Sequence, residues 1–138
     1  MAGYSDTPLA KKLGIKENSQ IDLVGAPKDF HMELGSLPNG AAIVPHTRKP
    51  LDLILLFVTR KTDLLKRFAL LAQRLPAAGI LWVAWPKKAS GVPTDLNFDV
   101  VQKHGLSEGL VDTKICAVNE VWSGLKFVYR LKDRAARS

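Results

Sequence analysis

One cysteine, Cys116, is the chain's whole stock of thiol, which excludes an internal disulfide and a cysteine-built zinc site. Histidine is almost as sparse. His31, His46 and His104 stand without the His-x-x-x-His or carboxylate spacing of a metal centre, so no metal is expected. No apolar run approaches the ~18 residues a membrane-spanning helix needs, and the opening Met1-Ala2-Gly3-Tyr4-Ser5-Asp6 lacks the basic-then-apolar build of a secretory signal. A cytoplasmic protein with no membrane partner is the expectation. Also missing are a Gly-x-Ser-x-Gly elbow, a phosphate-binding loop and a dinucleotide fingerprint, which removes the most recognisable hydrolase, nucleotidase and dehydrogenase classes.

What is present is ordinary globular material. The 138 residues are 46% hydrophobic and 24% charged, with no repeat, low-complexity tract or linker. This size suits one core. We read a single α/β domain over 1–129, opening with an arm over 1–16, and a basic tail over 130–138. Twenty Lys and Arg stand against 13 Asp and Glu, a net +7. The last nine residues hold four of the basic side chains and one of the acidic, leaving 16 against 12 and a net +4 for the body. That excess is thinner than the dense stripe of a dedicated nucleic-acid binder, so nucleic acid is not the expected partner.

Thr7 as N-cap, Pro8 at the first helical position, Leu9 and Leu13 on one face and Gly14 as the stop predict a short helix. Gln20–Val24 reads as a strand closed by Gly25-Ala26-Pro27. A weak helical turn follows around Phe30, Met32 and Leu34, then the Pro38-Asn39-Gly40 turn, and Ala41–Val44 as a minor strand closed by Pro45. Leu51–Val58 is a nearly continuous apolar run, the pattern of a strand buried on both faces in a parallel sheet. With Thr59 or Thr62 as cap, Leu64, Phe68, Leu71, Ala72 and Leu75 form one helix face before Pro76 and Gly79. Ile80–Trp85 is a second doubly buried strand, stopped by Pro86, and the strand–helix–strand order makes a right-handed crossover. Thr94 or Asp95 then caps a helix carrying Leu96, Val100 and Val101 that Gly105 breaks, and Lys114–Val118 with Leu125–Tyr129 form a terminal antiparallel hairpin.

From Leu51 to Arg130 this order resembles the second half of the class I methyltransferase fold, and Leu75-Pro76-Ala77-Ala78-Gly79-Ile80-Leu81-Trp82-Val83 is similar to the passage there from the fourth helix into the fifth strand. Three longer stretches are similar to a family of short bacterial proteins known only as a domain of unknown function. They are Gly3–Lys16 (with Thr7-Pro8-Leu9-Ala10-Lys11-Lys12-Leu13-Gly14), Trp82-Val83-Ala84-Trp85-Pro86-Lys87-Lys88-Ala89-Ser90-Gly91, and Gly109–Phe127. The resemblance implies a shortened, methyltransferase-like, Rossmann-like three-layer domain and carries no catalytic residues with it. Working methyltransferases place a G-x-G-x-G turn after the first strand and an acidic residue after the second. Here the first strand leads into Gly25-Ala26-Pro27-Lys28, and Pro45-His46-Thr47-Arg48-Lys49-Pro50 is basic. Only 25 residues separate Gly25 from Leu51, too few for two further strand–helix units. No cofactor is therefore expected.

In open α/β sheets, ligands bind beyond the carboxyl ends of the strands. That rule selects Lys87, Lys88, Ser90 and Gly91 after one central strand, with Gly25, Ala26 and Thr59 after its neighbours, as a crevice for an anion. Read blandly, the two lysines are solvated loop residues. Glu120 and Trp122 beside Ser123-Gly124 are a second pairing, able to orient an amine or a ring, or simply to pack the hairpin. Cys116, Trp82 and Trp85 read as core. The leading expectation is a non-catalytic binding or regulatory domain that takes an anionic small molecule or a protein partner. The alternatives are a degenerate adenosylmethionine-dependent enzyme and a nucleic-acid accessory protein.

Overall fold

The apolar runs form the centre of one mixed sheet. The computed structural model describes residues 8–44 and 51–137. Its elements in chain order are α1 (Leu9–Leu13), β1 (Gln20–Val24), α2 (Phe30–Leu34), β2 (Ala42–Ile43), β3 (Leu53–Phe57), α3 (Lys61–Ala72), β4 (Ile80–Pro86), α4 (Phe98–Ser107), β5 (Leu110–Ala117), β6 (Trp122–Tyr129) and α5 (Leu131–Arg137). The six strands run in the order β2-β1-β3-β4-β6-β5. The first four are mutually parallel, and β6 lies antiparallel to both β4 and β5. This is the mainly parallel α/β domain with a terminal antiparallel hairpin that the sequence implies.

Alternation along β3 divides the core into two layers. Ile54, Leu56 and Val58 point to the face covered by α3 and α4, where Leu64, Phe68, Leu71 and Val101 meet them. Leu53, Leu55 and Phe57 point to the other face, against α1 and α2 with Leu13, Phe30 and Leu34. Trp82 is fully buried on that second face, and its indole N–H donates to the Leu13 carbonyl at 2.7 Å, which ties the end of α1 to a central strand. Asp22, buried in β1, is held by Arg74 at 3.2 Å, the pairing a buried carboxylate requires.

Several local readings are corrected. Neither Thr59 nor Thr62 caps α3. The cap position is Arg60, whose side chain makes no capping bond, and the Lys61 amide instead donates to Asp95 Oδ1 at 2.7 Å. Thr94 and Asp95 accordingly do not cap α4; that role belongs to Asn97, whose Oδ1 accepts from Val100 N at 2.9 Å. Gly105 does not break α4, which continues to Ser107. Gly105 is buried against Phe127, and a Cβ there would fall 2.0 Å from Phe127 Cε1. Its lack of a side chain is a packing requirement, so the residue that reads as a breaker is a point of close approach. Leu131–Arg137, within the basic tail, is helical. Pro8 is not the first residue of α1 but its N-cap, so the cap does not fall to Thr7; Thr7 itself, the Gly3-Tyr4-Ser5 part of the arm and the Pro45–Pro50 segment lie outside the described residues.

Candidate functional site

Because β1, β3 and β4 are parallel, their carboxyl ends meet at one edge of the sheet. Gly25 and Ala26 follow β1, Thr59 follows β3, and Lys87, Lys88, Ser90 and Gly91 follow β4. The antiparallel β6 starts at the same edge, since Pro86 pairs with Trp122. The Lys87 amide donates to the Val121 carbonyl at 2.7 Å, so Glu120 and Trp122 are drawn to the residues after β4. Two groups of candidates that lie about thirty positions apart in sequence thus share one edge.

The segment after β4 is fixed by its own hydrogen bonds. Lys88–Ser90 is a 3-10 turn, the Ser90 hydroxyl donates to the Lys87 carbonyl at 2.7 Å, and Val92 N donates to Ser90 Oγ at 3.2 Å. Further along, the Thr94 hydroxyl donates to the Thr59 carbonyl at 2.6 Å and receives Leu96 N at 3.0 Å. Ser90 and Thr59, both named as ligand candidates, therefore have structural work: one closes the turn, the other anchors the loop across β3. Lys87 is half-buried and Lys88 exposed, and neither ammonium has a partner among the described residues. The N-terminus of α3, where an anion would gain from the helix dipole, is already engaged by the Asp95 carboxylate.

At the boundary between β1 and β3, Gly25 adopts a left-handed φ of +70°, and a Cβ on it would lie 2.8 Å from the Phe57 carbonyl oxygen. The bareness of this glycine is used up by strand-to-strand approach. The next residues fold straight back: Phe30 N donates to the Pro27 carbonyl, and α2 is a five-residue helix without a side-chain cap. Ala26 packs against the second core layer. These residues do not form the open glycine-rich bed that an adenosyl group requires. Arg67 reads in the sequence as one more exposed helix position. Its Nη1 comes within 3.9 Å of the same point beside Gly25, adding a cation to the edge.

Trp122 is half-buried and stands edge-on to Phe57, with ring centroids 5.0 Å apart, and Phe57 is in turn edge-on to Phe30 at 4.8 Å. Asn119 Oδ1 accepts from both Val121 N and Trp122 N at 2.9 Å, and its amide donates to Glu33 Oε1 at 2.9 Å, tying the hairpin to α2. Asn119, one unmarked polar residue of a hairpin connection in the sequence, is thus what orients the Trp122 region. Glu120 is exposed.

At the opposite, amino edge, a cleft of about 360 Å³ is lined in part by Lys16, Ser19, Asp52 and Ile80. Asp52 is engaged there by the Gln20 amide at 2.8 Å. Among the described residues no three His, Cys, Asp or Glu side chains converge as metal ligands. Cys116 is only half-buried rather than core, and burial pushes its thiol up from the ordinary range, with Lys12 and Lys114 opposing. Among the described residues no helix is long and apolar enough to cross a membrane.

No family model matches the chain. No curated protein sequence matches it either. Solved structures do. A SAM-dependent methyltransferase from Aquifex aeolicus superposes with a TM-score of 0.63 at 14% identity, over 86% of each chain. Magnesium protoporphyrin IX methyltransferase from Synechocystis PCC 6803, with bound SAM, gives 0.56 at 9% identity, over 88% of this chain and 74% of that one. Aeropyrum pernix fibrillarin, with natively bound S-adenosyl-L-methionine, gives 0.56 at 11% identity, over 91% and 70%. At such identities the likeness establishes the fold: this is a methyltransferase-like, Rossmann-like domain.

Proposed function

We propose that the carboxyl edge of the sheet binds a small ligand carrying an anionic group beside a flat ring, and that the chain serves as a binding or regulatory domain. The carrying observation is the pair Lys87 and Lys88, two ammoniums without partners among the described residues, held on a hydrogen-bonded turn directly beyond a central strand. A turn already fixed loses little freedom on binding. Each charge-assisted hydrogen bond it donates contributes about 1.5–3 kcal/mol where water is excluded. Arg67 strengthens the positive field, and the ring of Trp122 offers an aromatic surface.

A second reading, a degenerate adenosylmethionine-dependent enzyme, is favoured by the fold comparisons, in which two of the named neighbours carry that cofactor. Against it stands the crowding of Gly25 by Phe57. One titration separates the readings. Thermal melts and calorimetry with phosphate, AMP, adenosylmethionine and adenosylhomocysteine are run on the wild type and on Lys87→Ala/Lys88→Ala. AMP raising the melting temperature of the wild type and not of the variant, with the unliganded melts equal, supports the first reading. Micromolar affinity for adenosylhomocysteine promotes the second. An equal rise with AMP in both proteins overturns the lysine assignment.

A further inference from the structure

Folding brings Lys12 of α1 and Lys16 just after it to Lys114 and Lys126 of the β5–β6 hairpin, roughly a hundred positions away in sequence. Lys114 on β5 and Lys126 on β6 are direct cross-strand partners, so their side chains stand on the same face of the sheet. Lys114 Nζ donates to the Lys12 carbonyl at 3.3 Å, and Lys12 Nζ donates to the Ala117 carbonyl at 3.1 Å, which lays α1 against the hairpin. Burial, and then the ammoniums of Lys114 and Lys16, hold Lys126 below its usual range, and Lys12 joins this group through the bond its carbonyl accepts from Lys114. Like charges directly opposite on a sheet are destabilising. No described carboxylate relieves them. The described ion pairs are Arg74–Asp22 and His104–Glu108, Asp112 turns to the other face to accept from Gln102, and Glu17, the nearest acid in sequence, makes no ion pair.

We propose that Lys12, Lys16, Lys114 and Lys126 form a docking face for the phosphodiester backbone of nucleic acid, read by charge and without base specificity. The chemistry of the patch selects this occupant over an acidic protein. Protein interfaces are poor in lysine and depend on aromatic or aliphatic anchors at their centre. This face offers four lysines, and its bordering apolar residues, Val111 and Val128, are half-buried. Phosphate binding needs only cations, because its driving force is release of condensed counterions. The patch lies on the α1 side of the hairpin and shares no residue with the site proposed at the carboxyl edge, so this inference does not rest on the function proposed above.

The test is fluorescence anisotropy of the full chain with a labelled 20-base-pair duplex and the matching single strand between 50 and 200 mM salt. Four neutralised phosphates give a loss of affinity on the order of 100-fold across that range. In Lys16→Gln/Lys126→Gln, which removes the two ammoniums without hydrogen bonds among the described residues, the loss falls to about tenfold. Lys87→Ala/Lys88→Ala leaves the salt response unchanged, and circular dichroism reports that both variants are folded. No binding by the wild type at 50 mM salt overturns the proposal. So does an unchanged salt response in the Lys16/Lys126 variant, or tighter binding to a poly-glutamate of equal charge than to the duplex.

Discussion

Asp95 caps a helix that starts 34 positions before it: its Oδ1 accepts from the Lys61 amide at 2.7 Å, while the adjacent Thr94 hydroxyl holds the Thr59 carbonyl. The loop after β4 is therefore stitched to the start of α3, downstream of the turn that Ser90 closes on Lys87. Asp95→Ala costs about 1 kcal/mol, the usual worth of an N-cap, whereas Asp95→Asn, which keeps an acceptor, costs less than half of that. Urea unfolding midpoints check the order. Hydrogen exchange at the Lys61 amide separates loss of the cap from a general loosening.

Gly105→Ala is expected to destabilise the protein although alanine is the better helix former by about 1 kcal/mol. The added methyl meets the ring of Phe127, which is fully buried and cannot swing away. Overpacking of this kind costs about 1–3 kcal/mol, enough to cancel the propensity gain. Denaturant unfolding of the single variant measures the sign. A gain in stability would mean that the α4–β6 contact is looser than the geometry states.

His104 makes stability depend on pH. Its ring stands edge-on to Phe68, its Nε2 is buried without a hydrogen bond among the described residues, and Glu108 Oε1 is 3.9 Å away. Burial, aided by Lys61 and opposed by Glu108, lowers its pKa below the ordinary 6.5. The unfolded chain then binds the proton more readily than the folded one. Stability is fully present above about 6.5 and is lost progressively as pH falls through that value toward the folded pKa. His104→Gln removes this slope. Melting temperatures of both proteins between pH 7.5 and 5 should diverge in shape, and parallel curves would refute the assignment.

The sheet was legible because doubly buried strands are written as apolar runs: Leu53–Phe57 and Leu81–Trp85 admit no amphipathic alternative of that length. Gln20–Val24 is equally plain, and strand direction puts the residues after β1, β3 and β4 at one edge; the hairpin is legible as a pair but longer than it reads, β5 beginning at Leu110 and β6 at Trp122. The caps were illegible for a definite reason. Local rules pair a cap with the helix that follows it, and Asp95 serves one that precedes it. Gly105 misled because propensity does not know that Phe127 lies opposite. Arg67, Asn119 and the four-lysine face depend on contacts between elements distant in sequence, which no window along the chain contains.

The two margins of the sheet bear on how the chain avoids its own copies. On one side β2 is two residues long, too short to template a further strand. On the other, β5 runs for eight residues, but its register slips between Asp112 and Lys114, and Thr113 and Lys114 are exposed at the irregularity. A bulge and a lysine are the devices that discourage strand-to-strand growth. They matter here because Ile115, beside them, is 54% exposed. Deleting Thr113 is therefore expected to straighten this partly apolar margin and to raise self-association, which light scattering of the variant against the wild type checks.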